Sequence, residues 1–105
     1  MSQRNLLPNK DLKQAIEKLH DCRAFHIEDV IVSEHFGSDT VWGGIVSVFK
    51  IEGHPKADKC YAWSSLIRGS KKRRYYAVLH IPPVDSPAKA VRASIVHDFK
   101  KEKSP

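Results

Sequence analysis

Residues 40–51 read TVWGGIVSVFKI. Side chains along a β-strand alternate between its two faces, and here both faces are apolar. Val41, Ile45, Phe49 and Ile51 fall on one side, and Trp42, Val46 and Val48 on the other. Such a strand is central in its sheet, or covered on its second face by a partner. Gly43 and Gly44 inside the run point to a bulge or to a close approach of the backbone, with the bulky Trp42 beside them.

Working outward toward the N-terminus, the cluster Gly37, Ser38, Asp39 makes a turn. Before it, Phe25 and Ile27 alternate, and Val30 and Val32 then follow out of phase across Glu28 and Asp29, so the strand starts late or carries a bulge there. Earlier still, Leu12, Ala15, Ile16 and Leu19 recur at helical spacing, which predicts a helix over 10–20 with Asn9 as its cap and Asp11 at the positive end of its dipole. Toward the C-terminus, residues 53–58 form a connection rich in Gly and Pro. Two alternating runs, 59–67 and 73–81, flank a turn at Gly69 and Ser70 and predict an antiparallel hairpin. Pro82 and Pro83 end the sheet, and Ala88, Val91, Ile95 and Phe99 predict a helix over 87–99 capped by Ser86 or Asp85. The expected fold is α+β, a two-layer sandwich in which a four-stranded antiparallel meander carries the N- and C-terminal helices on one face, in the order α-β-β-β-β-α. Residues 1–105 are expected to form one domain, with flexible ends at about 1–8 and 100–105.

The chain's net charge of +6 is unevenly spread: residues 1–20 carry +2, residues 21–66 carry −3, and residues 67–105 carry +7. Its two cysteines, Cys22 and Cys60, are too few for a disulfide scaffold and read as free thiols in a reducing cytoplasm. No secretory signal pattern opens the sequence, and its apolar runs are far shorter than a membrane span, so no membrane association is expected.

Catalytic and metal chemistry find little footing. His20, Cys22 and His26, with His54 and Cys60 as possible completing ligands, lack the paired tight spacing of zinc sites, and no metal is expected. Ser64 and Ser65 fall inside a predicted strand, where the backbone is not bent to present a nucleophile, and Cys60 alternates with Tyr61 and Trp63 like a small core residue. Gly43-Gly44 lacks the Lys and Ser or Thr of a phosphate loop. No catalytic residue and no cofactor is therefore assigned, and the chain reads as a binding protein.

Two surfaces are candidates for that binding. Arg68, Lys71, Lys72, Arg73 and Arg74 concentrate positive charge at one hairpin turn, suited to the phosphates of a nucleic acid, although charged turns also keep hairpins soluble and guard edge strands. The region from Val46 to Phe99, with its Gly53-His54-Pro55 turn, is loosely similar in element order to double-stranded-RNA-binding domains. It departs from them by an extra strand after the first helix and by Ser86-Pro87-Ala88-Lys89-Ala90 where that family has a lysine cluster. The second candidate is the sheet face that helices on one side would leave open, with Trp42, Trp63, Tyr61 and Tyr75 as its aromatics and a protein partner or a homodimer as its occupant. The interaction surface is the primary expectation, and nucleic-acid binding, of RNA in particular, is the alternative.

Overall fold

The computed structural model describes residues 8–67 and 69–103. Its elements run α1 (Pro8–His20), β1 (Arg23–Phe36), β2 (Asp39–Glu52), β3 (Lys59–Leu66), β4 (Arg73–Leu79) and α2 (Pro87–Lys103). The four strands form one antiparallel sheet in the order β1-β2-β3-β4, the expected meander with β2 inside it.

Local chemistry explains the element ends. Proline suits the first turn of a helix, and α1 begins at Pro8, two residues before the expected start. It stops where Asp21 adopts φ 52°, a left-handed conformation that short polar side chains tolerate. Ser86 caps α2 by accepting a hydrogen bond from the Lys89 N–H at 3.2 Å, and Asp85 pairs with the Lys89 ammonium at 3.1 Å. Helix α2 continues to Lys103 through what was expected to be a flexible end, because Lys and Glu are good helix formers. The expected flexibility of residues 1–7 and 104–105 lies outside the described residues.

The expected phase break in β1 is a bulge: the register with β2 shifts between His26 and Glu28, leaving Ile27 without a partner. A second shift falls between Glu34 and His35, opposite the stretch that precedes Gly43. Trp42 lies across its neighbour two residues on, so that a Cβ at Gly44 would stand 3.1 Å from the indole ring, and glycine makes room for it.

The two helices do not share a face of the sheet, which corrects the two-layer expectation. Leu12 and Ile16 of α1 pack with Ala24, Phe49, Ile51, Cys60 and Ala62, whereas Ala90 and Val91 of α2 pack with Val32, Val46, Val48, Tyr61 and Trp63. Phe49 and Val48 are adjacent in β2, and Cys60 and Tyr61 are adjacent in β3, so the two clusters lie on opposite sides of one sheet. The chain is a three-layer α/β/α arrangement with an α1 face and an α2 face. The physical reason stands in the strands themselves, since β2 and β3 are apolar on both sides and each side needs cover.

Helix α1 also ties down both outer strands. The Ala24 N–H donates to the Glu17 carboxylate at 2.9 Å, and His20 Nε2 meets the Ala77 carbonyl at 2.8 Å. Lys13 reaches the same Glu17 oxygen at 2.6 Å, and these bonds hold the Glu17 carboxyl below the ordinary carboxylate range. The Asp29 carboxyl is likewise lowered, first by the Ser47 hydroxyl and then by His26. Because both groups are more acidic folded than unfolded, their contribution is complete above the ordinary carboxylate pKa, near pH 4, and is lost as pH falls through their folded values. An acid titration followed by circular dichroism should therefore show stability falling below about pH 4, and less steeply in a Glu17→Gln variant.

Candidate interaction surface

Element lengths decide what stays open. Thirteen residues of helix span about 20 Å, whereas fourteen residues of strand run about 45 Å, so α1 covers only part of the β1–β2 hairpin. Beyond it, the α1 face of that hairpin shows Ile31 and Ile45, direct cross-strand partners with 83% and 58% exposure. The same strands are packed on their other side, where Val32, Val46 and Val48 are buried under α2. Next to this pair the Asp29 carboxylate is fixed by accepting two hydrogen bonds, from the Ser47 hydroxyl at 2.7 Å and from His26 Nε2 at 2.8 Å. The bulge at Ile27 makes this possible, because residues three apart in a regular strand point to opposite faces.

The neighbouring hairpin presents the basic turn. Ile67 donates its N–H to the Lys72 carbonyl at 2.9 Å, Lys72 donates to Ser70 Oγ at 2.8 Å, and Gly69 supplies the positive φ of 78° that the turn needs. Lys71, Lys72, Arg73 and Arg74 are all exposed, and Arg68 lies outside the described residues. Register divides the two arginines. Arg73 pairs with Leu66 on the α1 face and donates from Nε to Ser64 Oγ at 2.9 Å, while the Arg74 guanidinium stands 5.0 Å from the centre of the Tyr76 ring on the α2 face.

The expected aromatic face does not exist as one surface. Tyr61 and Trp63 are buried beneath α2, and Trp42, half-buried on that same side, meets Trp63 edge-on at 5.9 Å. Trp63 stacks in turn on Tyr76 at 5.1 Å, and the Tyr61 hydroxyl is hydrogen-bonded to His80 Nδ1. Tyr75 pairs with Ser64 and is exposed on the opposite face. The open face is carried by Ile31, Ile45 and Leu66, which are not among the expected aromatics, and by Tyr75, which is. A signal for Ile31 was present, since Val30, Ile31 and Val32 in succession place apolar side chains on both faces of β1.

The histidines and cysteines are spread among structural tasks. His20 binds the Ala77 carbonyl, and the His54 Nδ1 accepts from the Lys56 and Ala57 N–H groups at 3.0 and 3.2 Å. Among the described residues no group of three or more His, Cys, Asp or Glu side chains is placed to hold a metal ion. Burial pushes the Cys60 thiol up to about 12, and Cys22 is raised as well, first by burial and then by Glu17 and Asp21. A thiolate is the reactive species, so a thiol reagent at neutral pH should leave Cys60 unmodified in the folded protein, react slowly at Cys22, and titrate both after denaturation. Mass spectrometry of the labelled peptides checks this.

Among the described residues no helix is long and apolar enough to cross a membrane. Compared with protein-family models, with curated proteins and with solved structures, the chain matches none.

Proposed function

We propose that this chain is a non-catalytic protein-interaction domain of the cytoplasm, which docks a partner on the part of the α1 face that α1 leaves open. The observation that carries this reading is the exposed cross-strand pair Ile31 and Ile45 on strands whose opposite side buries Val32, Val46 and Val48. Burying an isoleucine side chain is worth about 1.5–3 kcal/mol, and Leu66 and Tyr75 on the same side of the neighbouring hairpin add exposed apolar surface of the kind that marks interaction sites. The free thiols Cys22 and Cys60 support a reducing compartment. The placement of Ser64 and Ser65 in β3, and of Cys60 in the core, supports binding over catalysis.

A photo-crosslinking amino acid placed at Ile31 tests the reading in cells that produce the protein. A discrete adduct is expected, weakened when Ile45→Lys is added. A probe at Ile31 that stays uncoupled, as one at the exposed Lys56 does, overturns it.

A second reading is favoured by the exposure of Lys71, Lys72, Arg73 and Arg74 at one hairpin end: nucleic-acid binding through phosphate contacts. Binding to duplex RNA, single-stranded RNA and DNA would then weaken linearly in log–log form with salt. Replacing Lys71 and Lys72 with glutamine should make that slope shallower by about one to two units. Absence of binding at low ionic strength removes this reading.

A further inference from the structure

In a meander the first and third turns stand at the same end of the sheet, so the β1–β2 hairpin and the basic β3–β4 turn project side by side while the 53–58 connection lies at the far end. Their charges are opposite. Residues 24–49 contain Glu28, Asp29, Glu34 and Asp39 and no Lys or Arg, whereas residues 66–77 contain Arg68, Lys71, Lys72, Arg73 and Arg74 and no Asp or Glu. Glu34 is paired with Arg92 at 2.8 Å and Glu28 stands opposite Val48, both on the α2 side, so the acid that the first hairpin presents beside Ile31 is Asp29. The α1 face repeats this division in its apolar content. The first hairpin offers Asp29 beside Ile31 and Ile45, and the second offers Arg73 beside Leu66 and Tyr75.

We infer that the occupant of the open face is a second copy of this chain, its Arg73 hairpin lying on the Asp29 hairpin of the first and the reverse. The inference rests on the docking-face reading and names the partner. A two-fold contact is reciprocal, since residue i meets residue j and j meets i, so a surface closes on its own copy when it carries both complementary halves. This surface does. A purely acidic or purely basic face would repel its copy, and like charges brought together across an interface weaken it strongly. Both charges are held in place for the contact: Asp29 by Ser47 and His26, and Arg73 by the Ser64 hydroxyl. Leu66, at 62% exposure, supplies the apolar counterpart of Ile31 and Ile45.

Sedimentation velocity of the full chain over a wide concentration range tests this. The wild-type chain should dimerise, more weakly as salt rises. Asp29→Arg and Arg73→Asp should each weaken self-association by about tenfold or more, which corresponds to about 1.4 kcal/mol. Mixing the two variants should restore a dimer, because each then carries the charge that the other lacks. Ile31→Lys, at a position open to water, guards against variants that fail to fold; it should retain the wild-type circular dichroism and lose the dimer. A wild-type chain that stays monomeric at high concentration and low salt, or a mixture that does not recover, overturns the second copy as occupant. The crosslinked adduct separates the two failures. An adduct of twice the chain mass supports self-association, an adduct of any other mass rejects the second copy and retains the docking face, and no adduct rejects both.

Discussion

Replacing Trp63 with alanine should lower the unfolding free energy by about 3–5 kcal/mol, the range for removing a buried tryptophan from a core. Trp63 is 2% exposed, stacks on Tyr76 and touches Trp42 edge-on, so it joins β2, β3 and β4 beneath α2. Its removal opens a cavity between two hairpins whose ladder pairs Ser47–Lys50 with Lys59–Ala62 and continues through the Ile51 N–H to the Asp58 carbonyl at 2.9 Å. Past that short ladder, the aromatic contacts join the hairpins on the α2 side together with Ala90 and Val91 of α2. Domains of this size are stable by about 5–15 kcal/mol, so the loss takes a large share of the total. Trp42→Ala should cost less, because Trp42 is half-buried and its own ring rests on Gly44. Urea unfolding of both variants, followed by far-ultraviolet circular dichroism, gives the comparison. A loss below about 1 kcal/mol for Trp63→Ala would contradict a core role for this residue.

Much of the framework is legible in the residues, and the reasons are local. Period-two alternation located β2, β3 and β4, the phase break across Glu28 and Asp29 marked the bulge at Ile27, and Ser86 before Pro87 marked the start of α2. The helices stand on opposite faces where one face is expected, although the residues hold the answer. Val46 and Val48 alternate with Phe49 and Ile51, and Tyr61 and Trp63 alternate with Cys60 and Ala62, so both faces of the central strands asked for cover and two helices were available to give it.

The interaction surface was less legible because it depends on quantities that periodicity does not carry. Which face receives Arg73 and which Arg74 follows from the Leu66–Arg73 register, and a six-residue turn leaves that register open. The exposure of Ile31 and Ile45 follows from where α1 sits, bonded to Ala24 of β1 and Ala77 of β4 and leaving the hairpin beyond them bare, which is a tertiary property. The aromatics named from composition were large enough to be core, and Tyr61 and Trp63 are core.

The three-layer arrangement itself predicts how two core mutations combine. Ile16 is fully buried on the α1 face and Val91 is fully buried on the α2 face, and the clusters they belong to have no member in common. Ile16→Ala should cost about 2–5 kcal/mol, since it removes three carbons from the contact of α1 with Phe49 and Ile51, and Val91→Ala about 2 kcal/mol for a smaller truncation. With a sheet between them the two sites share no partner, so the double variant should show the sum of the single losses to within about 0.5 kcal/mol. Helices lying side by side on one face would bring their apolar stripes into contact, and neighbouring core positions couple by about 0.5–3 kcal/mol. Urea unfolding of the wild type, the two single variants and the double variant closes the cycle. Because two large losses together approach the whole stability of a domain this small, the cycle is best run in a stabilising osmolyte at fixed concentration, which raises all four midpoints. A coupling larger than about 1 kcal/mol would place Ile16 and Val91 in one shared core and overturn the separation of the helices by the sheet.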